Sequence, residues 1–156
     1  MAKIISIILF LFILGSSKAQ NTADYTTNLN HIALSVTDVN QAANFYKKIL
    51  NLKEITNRTE VEGIRWFSFG EEKELHLIST LKGKVITNRA VHFALSTSDF
   101  DAFLQKLKSF NIEYSDWPGT KGKIQIRADG ARQVYFQDPD GYWIEMNSIE
   151  NSGTKS

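Results

Sequence analysis

The sequence contains no cysteine. Disulfides are therefore excluded as a source of stability, and any bound metal must be held by histidine and carboxylate. A basic excess is missing as well. The 18 Lys and Arg residues are balanced by 17 Asp and Glu, which argues against nucleic acid as a partner. Long apolar runs are also missing. The run Ile4 to Leu14 is interrupted by Ser6 and is too short to span a bilayer comfortably. Histidine is scarce, with three in the whole chain, and all three fall in strand-like segments.

Lys3 precedes the apolar run, and Gly15-Ser16-Ser17-Lys18-Ala19 follows it. A charged start, a short apolar centre and a small-residue exit predict a signal peptide over 1–19, cleaved after Ala19. Export to the periplasm or the exterior is the expected localisation, with no stable membrane anchor after cleavage. No Cys follows the run, so a bacterial lipoprotein anchor is excluded. Cleavage removes Lys3 and Lys18 from the 18 basic residues, leaving 16 against 17 acidic ones in 137 residues. That length suffices for one domain with its own core. Residues 20–28 read as a lead-in and 149–156 as a disordered tail.

The chain repeats itself. His31-Ile-Ala-Leu-Ser-Val-Thr-Asp38 aligns with His92-Phe-Ala-Leu-Ser-Thr-Ser-Asp99. A helical stripe follows each copy: Val39, Ala42, Ala43, Tyr46, Ile49 and Leu50 in one, Phe100, Phe103, Leu104, Leu107 and Phe110 in the other. Asp38, with Gln41 three residues on, and Ser98 or Asp99 are the expected N-caps. Strand-like runs follow at 52–56, 63–69 and 73–79, then at 112–115, 124–127, 133–137 and 142–148. Asp138-Pro139-Asp140-Gly141 predicts a type I turn, and 70–73 a hairpin loop. Each half reads as β-α-β-β-β, with module one at 29–80, a linker at 81–89 and module two at 90–148. One module cannot cover its own sheet face, so two must pack together as a single α+β domain over 29–148.

Alternation along strands assigns faces. Ile32, Leu34 and Val36 share a side suited to the helix, and His31 takes the other. Val91, Phe93 and Leu95 repeat this opposite His92. Leu75 and Leu77 flank His76. Ile144 and Met146 lie opposite Trp143, Glu145 and Asn147. All three histidines and Glu145 thus face away from the predicted helix layer. Burying such groups without a partner costs a few kcal/mol, and one divalent cation would satisfy all four. Separately hydrogen-bonded side chains are the other reading.

These residues resemble the vicinal-oxygen-chelate superfamily, which includes glyoxalase I, fosfomycin- and bleomycin-resistance proteins, extradiol dioxygenases and methylmalonyl-CoA epimerase. The carriers are 30–36, Ala43-Asn-Phe-Tyr46, 50–52, Glu74-Leu-His-Leu77, Val91-His-Phe-Ala-Leu95 and, most specifically, Val134-Tyr-Phe-Gln-Asp-Pro-Asp-Gly-Tyr-Trp-Ile-Glu145. The resemblance implies two tandem βαβββ modules forming a cupped mixed sheet around one divalent metal (Zn, Ni, Fe or Mn), with helices outside. It implies His31, His76, His92 and Glu145 as ligands and Glu145 as the group that moves a proton. His76 departs from glyoxalase I, where bacterial enzymes carry Glu. In dioxygenases and fosfomycin thiol transferases the set is two His and one Glu, which leaves His76 beside the metal or as a fourth ligand.

The implied function is a glyoxalase-like lyase or isomerase acting on a small oxygenated substrate. An extradiol-type dioxygenase and a non-catalytic resistance protein that binds a small molecule are the alternatives. Trp143 is expected to wall the pocket, with Trp66, Arg127, Arg65 and Tyr135 as weaker candidates. The basic loop 117–123 is a candidate lid over an anionic substrate. A homodimer is compatible with the resemblance, because some relatives exchange modules. The linker leaves open whether one chain or two build each site.

Overall fold

The computed structural model describes residues 25–149. The predicted signal peptide, residues 20–24 of the lead-in and the tail from 150 lie outside them. Residues 25–30 are exposed and irregular. No helix among the described residues is long and apolar enough to cross a membrane.

Module one runs β1 (His31–Ser35), α1 (Val39–Leu50), β2 (Lys53–Ile55), β3 (Ile64–Gly70) and β4 (Lys73–Ile78). Module two runs β5 (His92–Thr97), α2 (Phe100–Ser109), β6 (Tyr114–Ser115), β7 (Gln125–Ile126), β8 (Arg132–Gln137) and β9 (Trp143–Ser148). The helices form where the apolar stripes predict. α1 buries Ala42, Ala43, Tyr46 and Ile49, and α2 buries Phe100, Phe103, Leu104 and Leu107. Asp38 caps α1 by accepting from the amides of Asn40 and Gln41 at 2.8 and 3.0 Å. Asp99, not Ser98, caps α2 through the Ala102 amide at 2.9 Å. Each accepted bond satisfies a helix-terminal N–H that has no partner within the helix. Both helices end beside an asparagine in the left-handed region, Asn51 (φ 54°) and Asn111 (φ 54°), which Asn tolerates better than other side chains with a Cβ.

The expected α+β architecture is present, with the sheet divided in two within one chain. The strand orders are β1-β4-β3-β2 and β5-β9-β8-β6, with β7 also pairing with β8. In each sheet the first strand of the module lies at an edge and pairs in parallel with the last, β1 with β4 and β5 with β9. The register repeats too. Ala33 lies opposite His76, and Ala94 opposite Glu145. His76 and Glu145 therefore occupy equivalent positions, each across from the residue two beyond a strand-opening histidine.

The modules meet through their helix-bearing faces, sharing one apolar core. Phe45 of α1 meets Phe136 of β8 with centroids 6.5 Å apart. The helices thus lie toward the junction, and the opposite faces of β1 and β5 are open: His31, Ala33, His92, Ala94 and Ser96 are all exposed. The Asp138–Gly141 turn fastens the junction. Asp138 accepts from the Tyr46 hydroxyl at 2.8 Å and from the amides of Asp140 and Tyr142. Asp140 accepts from the Thr37 amide and hydroxyl at 2.9 and 2.6 Å. Burial, foremost, raises the pKa of both the Asp138 carboxyl and the Tyr46 hydroxyl. Gly141 (φ +98°) closes the turn, and a Cβ there would come within 2.6 Å of the Val85 carbonyl oxygen. Only glycine fits both demands.

Candidate metal centre

The four candidate ligands form two pairs. In module two, β5 and β9 hold His92 and Glu145 side by side, with Nε2 and Oε2 3.3 Å apart. Two atoms bonded to one tetrahedral ion at about 2.0–2.1 Å would themselves be about 3.3–3.4 Å apart, so this pair has coordination spacing. His92 Nδ1 donates to the Arg89 carbonyl at 2.7 Å, which fixes the ring with Nε2 turned toward the carboxylate. Glu145 is almost fully buried (7% exposed) and accepts from the Asn147 amide at 2.7 Å. Tyr135 lies across from it in register. Burial, then the Glu145 carboxylate, push the Tyr135 hydroxyl well above its ordinary pKa, so it remains a protonated donor.

In module one, His31 and His76 stack with centroids 4.4 Å apart and planes 14° from parallel. His31 Nδ1 engages Asn30 Oδ1 at 2.7 Å. His76 Nε2 engages Glu74 Oε2 at 2.8 Å. Trp66 covers the other side of His76, with centroids 4.0 Å apart and planes 7° from parallel. The Arg58 guanidinium lies 4.4 Å from the centre of the Trp66 ring and also donates to both Glu74 oxygens. The His76 hydrogen bond first, and Arg58 second, hold the Glu74 carboxyl below its usual pKa.

No three His, Asp or Glu side chains converge on a common cation position among the described residues. Within one chain the His31/His76 pair and the His92/Glu145 pair stay separate.

The pocket candidates sort by face. Trp143 lines a cavity of about 410 Å³ together with Arg89, Tyr114, Ser115, Tyr135 and Gln137. The Arg89 guanidinium lies over Trp143, 4.6 Å from its ring centre. It makes no ion pair among the described residues, a feature that sequence pattern does not reveal. Trp66 belongs to the module-one stack. Arg65 clasps Glu54 at 2.7 Å and reaches Asn40 of α1, on the helix side. Arg127 pairs with Asp129 at 2.7 Å in the β7–β8 turn. The 117–123 loop is tied down, with Asp116 Oδ1 accepting from the amides of Gly119 and Thr120. Its lysines are paired, Lys121 with Glu113 and Lys123 with Asp116, which leaves little of the free positive charge expected of a lid.

The comparisons with known proteins agree with this architecture. Residues 28–146 match the model of the Glyoxalase/Bleomycin resistance protein/Dioxygenase superfamily. The chain is 30% identical over 128 residues to the metallothiol transferase FosB of Staphylococcus epidermidis, covering 78% of this chain and 82% of that one. It is 24% identical to Glyoxylase I 4 of Arabidopsis thaliana, covering 81% and 74% respectively. The solved structure of the oxidase ChaP-H2 superposes with a TM-score of 0.66 at 24% identity, covering 82% of this chain and 98% of that one. The chain belongs to the Glyoxalase/Bleomycin resistance protein/Dioxygenase superfamily.

Proposed function

We propose that the protein is a divalent-metal enzyme of glyoxalase type, acting on a small oxygenated substrate, with each site shared between two copies of the chain. The observation that carries this reading is the His92/Glu145 pair, set at coordination spacing on the open face of module two. His31 occupies the equivalent strand-opening position on the open face of module one. β1 and β5 are both sheet edges, and joining β1 of one copy to β5 of another would bring His31 toward His92 and Glu145. An isologous dimer would make two such sites. It would also cover the exposed faces and produce the cupped sheet.

The donor set fits a divalent ion. Two imidazoles and a carboxylate suit Zn, Ni, Fe or Mn, and no Lys or Arg ion pair engages Glu145 among the described residues. A metal held by His31, His92 and Glu145 would supply Lewis acidity toward adjacent substrate oxygens. The protein's own part is proton movement and enclosure. The Glu145 carboxylate would serve as the base, taking a proton from one substrate carbon and returning it to the neighbouring one. Asn147 holds one carboxylate oxygen and so fixes the orientation of the base. Trp143 and Tyr135 form an aromatic wall. The apolar run at 4–14 supports an exported protein, a reading checked by the N-terminal sequence of the mature chain.

Metal analysis of the wild type beside a His31→Ala/His92→Ala variant tests the site. Stoichiometric metal in the first and none in the second is expected, and equal content in both would refute it. Isomerisation of hemithioacetals with Ni(II) or Zn(II) tests the reaction. Oxygen chemistry is the second reading, favoured by the two-histidine, one-carboxylate composition. It predicts oxygen uptake with catechols under Fe(II).

A further inference from the structure

We propose that His76 is a positioning residue that sets the plane of the His31 ring, and is not itself a metal ligand. The inference rests on the reading that His31, His92 and Glu145 hold a metal. An imidazole donates through a lone pair in the plane of its ring, so a bound ion lies in or near that plane. The His31 and His76 planes are only 14° from parallel. Separated by a contact distance of about 3.5 Å, such planes intersect on the order of 14 Å away. An ion about 2.0–2.1 Å from a nitrogen of each ring cannot lie in both planes. The stacked pair is therefore a poor chelate, although the strand register makes His76 the counterpart of the ligand Glu145.

His76 is instead held on every side. Trp66 stacks on one face at 4.0 Å and His31 on the other at 4.4 Å. Glu74 takes Nε2 at 2.8 Å. Arg58 closes the circuit by stacking on the outer face of Trp66 and donating to both Glu74 oxygens. Four flat groups, Arg58, Trp66, His76 and His31, thus form one column, braced along its side by Glu74. The two ends of the column, Arg58 and His31, are exposed, and Trp66 and His76 between them are not. The His31 Nδ1 is fixed by Asn30, so the column decides where the free Nε2 points. Such outer support commonly carries 10–100-fold in metal affinity.

Substitution by an aromatic without nitrogen separates the two roles. His76→Phe keeps the stack and removes every donor atom. It should bind Zn(II) within about threefold of wild type, read by competition with a chromogenic chelator. His76→Ala, which removes the stack, should weaken binding about 10-fold or more. Loss of Zn(II) by His76→Phe as complete as that of His31→Ala would overturn the proposal, as would wild-type affinity in His76→Ala. A second measurement needs no variant. Histidine nitrogen resonances of the wild type should shift on Zn(II) binding at Nε2 of His31 and His92 while His76 keeps its metal-free pattern. A metal-bound resonance at His76 would overturn the positioning role alone. Absence of any Zn(II) uptake by the wild type would overturn the metal site itself.

Discussion

The two modules carry the same strand register and opposite chemistry at matching points. Opposite Ala94, module two places a buried carboxylate, Glu145, beside His92 at 3.3 Å. Opposite Ala33, module one places an imidazole, His76, sandwiched between rings and bonded to Glu74. Duplication preserved the backbone that delivers a side chain to this spot. It did not preserve what that side chain does. A carboxyl group beside a histidine at one position and an imidazole stacked between two rings at the other give equivalent points of the fold different surroundings.

The largest expected effect separates these roles. Glu145→Gln removes the proposed base and should lower kcat by about 10²–10⁴-fold. His76→Phe, at the equivalent position, should lower it by less than about tenfold. Steady-state kinetics of both variants with the same metal would decide, and equal losses would erase the contrast between the half-sites.

Stability probes test whether the modules fold as one unit. Tyr46 of module one donates to buried Asp138 of module two. Tyr46→Phe leaves that carboxylate oxygen without its donor and should cost about 1–3 kcal/mol. Thermal unfolding should still show one transition, shifted downward, whereas two transitions would mean that the modules unfold independently.

Acid stability should also differ between the halves. Its hydrogen bond to Arg65 holds Glu54 below the usual carboxylate pKa. The stability it contributes is thus present above its unfolded pKa and lost as pH falls through the lower folded value. Asp101 is held down by Arg132 in the same way, but its side chain is 69% exposed against 31% for Glu54. Glu54→Gln should therefore flatten the acid limb of a stability–pH curve more than Asp101→Asn does. Asp138 acts in the opposite sense. Its pKa is raised, so its ionisation opposes folding as pH rises, and protonation relieves that cost on acidification.

The smallest effect concerns the helix ends. Asn51→Ala and Asn111→Ala each put alanine at φ 54° and should cost about 1–2 kcal/mol by denaturant unfolding. Asn51 should lie at the upper end, because it also accepts from Lys106 of α2 at 2.8 Å.

The repeat at His31–Asp38 and His92–Asp99 made the elements legible in the sequence, because strand alternation and helical stripes are local signals. The same alternation put His31, His76, His92 and Glu145 on the faces away from the helices. The division of those residues into two pairs was not legible. It depends on how modules dock, through contacts such as Tyr46 with Asp138 that are 92 positions apart. Nor was the Arg58–Trp66–His76–His31 column with Glu74 at its side, since a charged pair on a strand and a neighbouring loop looks like ordinary solvated surface. Sequence pattern likewise does not show that Glu54 engages Arg65 and Asp129 engages Arg127.

The sharing of each site between two chains can be tested by complementation. His31→Ala and His92→Ala chains, each deficient alone, are co-refolded in equal amounts and assayed for bound metal. With sites built between chains, half the dimers are mixed, and each mixed dimer regains one intact site of two. Metal content should then recover to about a quarter of wild type. If each site lay within a single chain, every site would keep one lesion, and a mixture no better than its separate components would rule out sites shared between chains.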